Sequence, residues 1–317
     1  MNRIAFVFPG QGSQYVGMGE ALASRSPAAA AVFAEADEAL GEKLSQLSWQ
    51  GPADELDLTV NAQPAILATS IAYLAALREA WADEVVPGFY AGHSMGQYSA
   101  LVAAGVVPLS DGLRLVRERG RQMQASATDG AMAAVIGLAD ERLPELVAAG
   151  QEKGIFTIAN RNSAGQVVVS GERAAVERAS EVARELGAKR AIVLPVSVAA
   201  HSPLMSTAAQ NMRSILESVA FADPRAPLLA NADARPLTTG DDCRSELVEH
   251  LTRGVDWVAA VEAMSLAGVT TFVEIGPGKV LSGLIKRIAP TAQALATDDS
   301  TAVGRLAVPD LSAAAPA

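Results

Sequence analysis

Three times along the chain a short apolar run is cut off by a glycine-rich turn and followed by a helix-compatible stretch. Ile4 to Phe8 stops at Pro9-Gly10, with Gly12, Gly17 and Gly19 close behind. Val85 to Gly92 runs into Gly-His-Ser-Met-Gly and then Tyr98 to Ala104, and Thr271–Ile275 runs into Gly-Pro-Gly and a helix from Val280. Repeated strand–turn–helix units favour an open parallel sheet with helices on both faces, and so an α/β fold. The Ala-, Leu- and Ile-rich stretch 62–82 predicts a largely buried helix, and Pro108-Leu-Ser-Asp111 caps another that runs to about Ala125.

The middle third has a different rhythm. Strands are expected at Ala131–Leu138, Phe156–Ala159, Val167–Ser170 and Lys189–Leu194, with helices at Asp140–Ala149 and Glu172–Leu186. That βαββαβ order is the ferredoxin-like pattern and predicts a small subdomain, 128–198, inserted into a core made of 1–127 and 199–300. The Ala- and Pro-rich end, 301–317, is expected to be a flexible tail.

Composition narrows the function. Hydrophobic residues make up 50% of the 317 and charged residues 19%, enough for a packed core and too little charge for a disordered chain. The net charge of −10 excludes a general attraction to nucleic acid or to anionic membranes. The first apolar run is too short for a signal peptide, and no uninterrupted apolar run approaches the roughly 20 residues of a membrane span. The expectation is a soluble, cytoplasmic protein. One cysteine, Cys243, allows no intramolecular disulfide, and three histidines leave little material for a metal site.

Gly92-His93-Ser94-Met95-Gly96 fits the nucleophile-elbow pattern G-x-S-x-G, with a strand before it and a helix after it. Glycines permit the sharp turn that lifts the Ser94 oxygen clear, and the Met95 N–H then faces a developing oxyanion. An ordinary strand-to-helix turn with a serine cap is the bland alternative. A serine nucleophile needs a base, normally histidine. His93 lies inside the elbow, where adjacent side chains diverge. His250 lies on a polar helical stretch, Glu246–Leu251, where solvent exposure is expected. His201 follows a strand and a turn, at an element junction, and is the favoured base. No Asp or Glu is clearly placed to orient it, so a dyad assisted by a backbone carbonyl is as plausible as a triad.

The helix around 112–124 holds four arginines. At about 100° per residue, Arg114, Arg117 and Arg121 form one solvated stripe, while Arg119 projects between Leu115, Met123 and Val116 on the apolar face. A buried guanidinium is costly unless paired. Either an internal ion pair satisfies it, or it is a fork for a substrate carboxylate.

At this point a family resemblance emerges. Phe8-Pro-Gly-Gln-Gly-Ser-Gln14, Gly92-His-Ser-Met-Gly96, Arg119-Gly120 with Met123-Gln124, Asn160-Arg-Asn-Ser163, His201-Ser-Pro-Leu-Met205 and Glu274-Ile-Gly-Pro-Gly278 occur in order across residues 4 to about 290. The chain thus resembles the malonyl-CoA:acyl-carrier-protein transacylases. The resemblance implies a hydrolase-like α/β core with a ferredoxin-like insertion. It implies Ser94 as acylated nucleophile, His201 as base, Gln11 with the Met95 N–H as oxyanion donors, and Arg119 as the malonyl carboxylate ligand. Malonyl-CoA and an acyl carrier protein are the implied partners, with no metal and no bound cofactor.

Three positions depart from the family pattern. Gln97 stands where Glu is usual, and Ala200 stands before His201 where Phe or Ser is frequent, leaving room for a branched acyl group. His250 stands at a common Gln whose main-chain carbonyl orients the base. Arg114, Arg117 and Arg121 and the pairs Lys189-Arg190 and Lys286-Arg287 are candidate contacts for an acidic carrier. A polyketide acyltransferase of broader substrate range remains open. A serine esterase is disfavoured because no late Asp…His pair follows the serine, and a non-catalytic carrier-binding protein is the third class.

Overall fold

The computed structural model describes residues 3–81, 85–126, 129–196 and 198–298. Two sheets organise it. The larger takes strands β1 (Ile4–Phe8), β2 (Phe89–Gly92), β7 (Leu228–Leu229), β8 (Pro236–Leu237), β10 (Thr271–Glu274) and β11 (Gln293–Ala296) in the order β11-β10-β1-β2-β7-β8. All of its pairings are parallel except β7 with β8. β1 is the apolar run Ile-Ala-Phe-Val-Phe, buried at every residue, as expected of a central parallel strand covered on both faces.

The smaller sheet contains β3 (Gly130–Ile136), β4 (Phe156–Ser163), β5 (Gln166–Glu172), β6 (Arg190–Val193) and β9 (Val255–Asp256), in the order β6-β3-β5-β4-β9. Its first four strands, with helices Leu143–Gln151 and Arg173–Glu185, give the ferredoxin-like arrangement. The fifth strand, β9, comes from chain beyond the inserted segment and pairs parallel with β4 at Asn160 and Arg161. Its two residues are too few to carry a periodic signal in the sequence. The expected strand Val85 to Gly92 pairs only over Phe89–Gly92, and the expected tail lies outside the described residues.

Helix Thr59–Ala80 fills the core beside the larger sheet. By length and composition it could span a bilayer, although Asn61, Gln63, Thr69 and Ser70 interrupt its apolar residues in the sequence. Its most apolar window is 83% buried inside the protein, so its apolar surface is already covered. In the third strand–turn–helix unit, the buried Glu274 carboxylate accepts the Leu281 and Ser282 N–H groups at 2.9 and 2.7 Å. A carboxylate there satisfies two otherwise unpaired donors of helix Val280–Ile288 and opposes its dipole.

Candidate active site

β2 delivers the chain to Ser94, whose φ of 53° lies in the left-handed region. The flanking glycines have no room for a side chain. A Cβ on Gly92 would lie 2.1 Å from the Gly96 carbonyl carbon, and one on Gly96 would lie 2.2 Å from the Phe8 oxygen. The strained turn is thus wedged between β1 and helix Gly96–Ala103, which immobilises the serine. The Ser94 N–H donates to Asn231 Oδ1 at 2.8 Å, and the Met95 N–H has no hydrogen-bond partner among the described residues.

His201 meets Ser94 with Nε2 2.8 Å from Oγ. Its Nδ1 faces the carbonyls of His250 at 2.6 Å and Arg253 at 3.2 Å. Carbonyls only accept, so Nδ1 carries the proton and Nε2 presents its lone pair to the serine hydroxyl. This is a dyad oriented by main-chain carbonyls. Burial first, and the Arg119 charge second, bring the His201 pKa down to about 3, so the imidazole is neutral near neutral pH.

Arg119 is 1% exposed, and no carboxylate among the described residues lies within ion-pair distance. Nη1 donates to Gln63 Oε1 at 2.8 Å, and Nη2 donates to Ser94 Oγ at 3.1 Å and faces His250 Nε2 at 3.4 Å. The Tyr98 ring lies 5.9 Å away, and Nε has no partner. Burial lowers its pKa to about 10, which leaves it charged at neutral pH. A buried cation with neutral neighbours, touching the Ser94 hydroxyl, is a ready anion subsite.

Other expectations change. His250, expected in solvent, is fully buried at the C-cap of helix Gly240–Glu249, against Tyr98 and Arg119. Arg117, expected on the solvated stripe, is 5% exposed and donates to Asn61 Oδ1 and Glu42 Oε2. The helical wheel registers only its own helix, whereas residues from two neighbouring segments wrap that side. Arg114 and Arg121 are exposed and paired with Asp111 and Glu118.

Gln11 is exposed and donates to Thr59 Oγ1 at 3.2 Å, with no hydrogen bond to Ser94. His93 turns away from Ser94 to Asn162 on β4, at 2.9 Å, and packs on Trp257. Gln97 donates to the Leu229 carbonyl at 3.1 Å, a contact that an ionised Glu could not make. Ala200 is buried beside the base. Gln63, Asn231 and Glu246, all buried around the site, have no signature in the sequence, because single amides and acids outside a motif carry no spacing signal. Among the described residues no cluster of three His, Cys, Asp or Glu side chains is placed to hold a metal.

A parallel α/β core with an inserted ferredoxin-like sheet and a serine–histidine pair at a strand-to-helix elbow defines a hydrolase-like fold adapted to a serine-centred site. Residues 5–312 match the acyl transferase domain, and the chain belongs to the malonyl-CoA:acyl-carrier-protein transacylase family. It is 46% identical over 302 residues to the malonyl CoA-acyl carrier protein transacylase of Bacillus subtilis, covering 94% of each chain. The solved acyl-carrier-protein S-malonyltransferase of Bartonella henselae superimposes with a TM-score of 0.93 at 45% identity, covering 96% of this chain and 99% of that one. A malonyl-transacylase solved in complex with a type II polyketide acyl-carrier protein gives 0.91 at 42% identity, covering 96% and 98%.

Proposed function

We propose that this protein transfers a malonyl group from malonyl-CoA to the phosphopantetheine thiol of an acyl carrier protein through a malonyl-serine ester. The observation that carries the reading is the buried Arg119 guanidinium, with no carboxylate partner, 3.1 Å from the Ser94 oxygen that His201 is placed to deprotonate. The substrate carboxylate occupies the Arg119 fork and sets the thioester carbonyl over Ser94. Ser94 Oγ bonds to the carbonyl carbon while its proton passes to His201 Nε2. The Met95 N–H and the Gln11 amide stabilise the oxyanion. The tetrahedral intermediate collapses, the C–S bond breaks, and the His201 proton leaves with the CoA thiol. The carrier thiol then reverses the sequence, giving ping-pong kinetics.

The substrate also prepares its own base. A carboxylate on Arg119 neutralises a charge that disfavours protonated His201, so the imidazole becomes more basic when the correct acyl group is bound. Ser94, His201, Arg119 and the Met95 N–H are already in place, Gln11 has only to turn from Thr59, and acyl transfer between thiols involves no redox step, so we infer that no resident metal or organic cofactor is needed. The core 1–127 with 199–300 and the insertion 128–198 are the two lobes we assign to this machinery. The long apolar helix is packed inside the protein and not presented to a bilayer, and we assign a cytoplasmic location on the strength of the CoA thioester substrate proposed above.

The test is mass spectrometry of the intact protein after incubation with malonyl-CoA. A single adduct of roughly 86 Da on Ser94, absent in Ser94→Ala and discharged by a carrier-protein thiol, is expected for covalent transfer. No adduct rules out the acyl-enzyme. Equal use of malonyl-CoA and methylmalonyl-CoA in steady state would show that the space at Ala200 admits branched groups and would favour a polyketide role.

A further inference from the structure

Behind Arg119 lies a buried acid that the transfer reaction does not use. Glu246, on helix Gly240–Glu249, is 1% exposed, and His250 is four residues on, so the two share one helix face. Glu246 Oε1 accepts the Asn231 N–H at 2.7 Å, and Asn231 Oδ1 in turn accepts the Ser94 N–H at 2.8 Å. The same Oε1 lies 4.0 Å from His250 Nδ1, an electrostatic contact and not a hydrogen bond. His250 Nε2 faces Arg119 Nη2 at 3.4 Å. One carboxylate therefore reaches the nucleophile by two routes, through Asn231 to its main chain and through His250 to the arginine that touches its oxygen.

The chemistry of the donors fixes how the second route must be protonated. Arginine only donates, so His250 Nε2 must carry a lone pair and the proton must sit on Nδ1. The opposite tautomer would set an N–H against the guanidinium. His250 is buried and has Arg119 and His201 as charged or titratable neighbours, which disfavour its protonated form, so it is neutral. A neutral imidazole needs something to choose between its two tautomers, and Glu246 faces Nδ1 with two acceptors, its main-chain carbonyl one turn back on the helix and, at 4.0 Å, its carboxylate.

We propose that Glu246 and the His250 ring are positioning residues for Arg119: the carboxylate adds its field to the main-chain carbonyl in holding the Nδ1–H tautomer, and the Nε2 lone pair that remains holds the guanidinium at the carboxylate subsite. The inference rests on Arg119 binding the substrate carboxylate. It separates the two roles of residue 250, whose main-chain carbonyl orients the base while its side chain orients the substrate ligand. Burial raises the Glu246 pKa to about 7, with Asp233 and Glu249 adding to the rise and Arg235 opposing it. The ionised form is therefore the one to assay, on the alkaline side of that value.

The test uses full-length enzyme at about pH 8, with malonyl-CoA and acetyl-CoA as thioesters that differ in the carboxylate. The readout is the ratio of their kcat/KM values for acylation of Ser94. His250→Leu removes the acceptor, and the malonyl-to-acetyl ratio is expected to fall about tenfold, the scale of a lost hydrogen bond to a charged group. His250→Gln supplies a carbonyl oxygen as acceptor and is expected to recover most of that ratio. Glu246→Gln keeps an oxygen for the Asn231 N–H but removes the charge. In 15N-labelled protein its His250 ring is expected to shift from Nδ1–H alone to a mixture of tautomers, with a lower ratio. Equal losses for the two thioesters in His250→Leu, no recovery in His250→Gln, or an unchanged tautomer in Glu246→Gln would each overturn the proposal. Arg119→Ala is the separate control. If the ratio survives without Arg119, the carboxylate subsite itself has been misassigned, whatever residue 250 does.

Discussion

Replacing Arg119 by Ala removes the only charge that touches Ser94 among the described residues, and the consequences separate by substrate. In the native site the guanidinium is buried, donates to Gln63 Oε1 and Ser94 Oγ, and has Nε unpaired, so a carboxylate meets a desolvated fork with donors to spare. Truncating one partner of a buried, hydrogen-bonded charge pair costs about 2–5 kcal/mol, which is roughly a 30- to 5,000-fold loss of kcat/KM for malonyl-CoA. Acetyl-CoA has no carboxylate to lose and should fall far less. A second effect has the opposite sign. Arg119 helps to hold the His201 pKa near 3, so its removal makes the imidazole more basic, although burial, the larger cause, keeps it below the ordinary 6.5. Acylation requires neutral His201, so the acid limb of the acetyl-CoA rate profile moves to higher pH in the variant. Rapid-quench acylation of Ser94 by the two thioesters across pH 4 to 8 measures both effects. An equal loss for the two substrates, or an acid limb that does not move, would refute the account of Arg119 as carboxylate ligand and field source.

Three further outcomes follow from the geometry. Asn231→Ala leaves the Ser94 N–H without its acceptor at a residue of positive φ; stability should fall by about 1–3 kcal/mol, and turnover should drop while KM changes little, as read by denaturant melts and steady-state kinetics. Gly92→Ala places a methyl 2.1 Å from the main chain of Gly96, and with no flexible neighbour to yield it should prevent accumulation of folded protein, seen as loss of soluble expression. Acid stability should be governed by the buried neutral histidines. Their folded pKa values lie below the unfolded 6.5, so the stability they contribute is present above that value and is lost as pH falls toward about 3. His250→Gln should flatten the decline in Tm between pH 7 and 5, and an unchanged slope would contradict the assignment.

The parts of this molecule that were legible in its sequence are those encoded locally. The Ile4–Phe8 strand, the glycines around Ser94 and the inward place of Arg119 on its helix are all set by residues within a few positions of one another. His201 stands out among three histidines by its place at an element junction, whereas the sequence leaves a carbonyl-assisted dyad and a triad equally open, and only the fold brings the His250 carbonyl to Nδ1. What escaped was set at long range. Arg117 was misplaced because Glu42 and Asn61 cover it from other segments. The polar helical neighbours of His250 predict a solvated residue, because nothing near it in the sequence signals Tyr98 and Arg119 beside its ring. Gln63 and Asn231 are single amides whose importance exists only once Arg119 and Ser94 have been brought to them.

Ser94 belongs to the larger sheet, whereas His201 arrives just after β6, the last inserted strand of the smaller one. The carbonyls that steer the imidazole come from His250 and Arg253, immediately before β9, which the smaller sheet has recruited as its edge. His93, next to the nucleophile, is tied across to Asn162 on β4 and rests on Trp257, the residue after β9. The 2.8 Å between Oγ and Nε2 is therefore a measure of how two independently built sheets are docked. A tilt of one against the other by a few degrees acts on the reaction through distance alone, with every reacting side chain intact. Substitutions at that seam, such as Asn162→Ala, are therefore expected to lower kcat by misaligning Oγ and Nε2 while leaving both side chains intact.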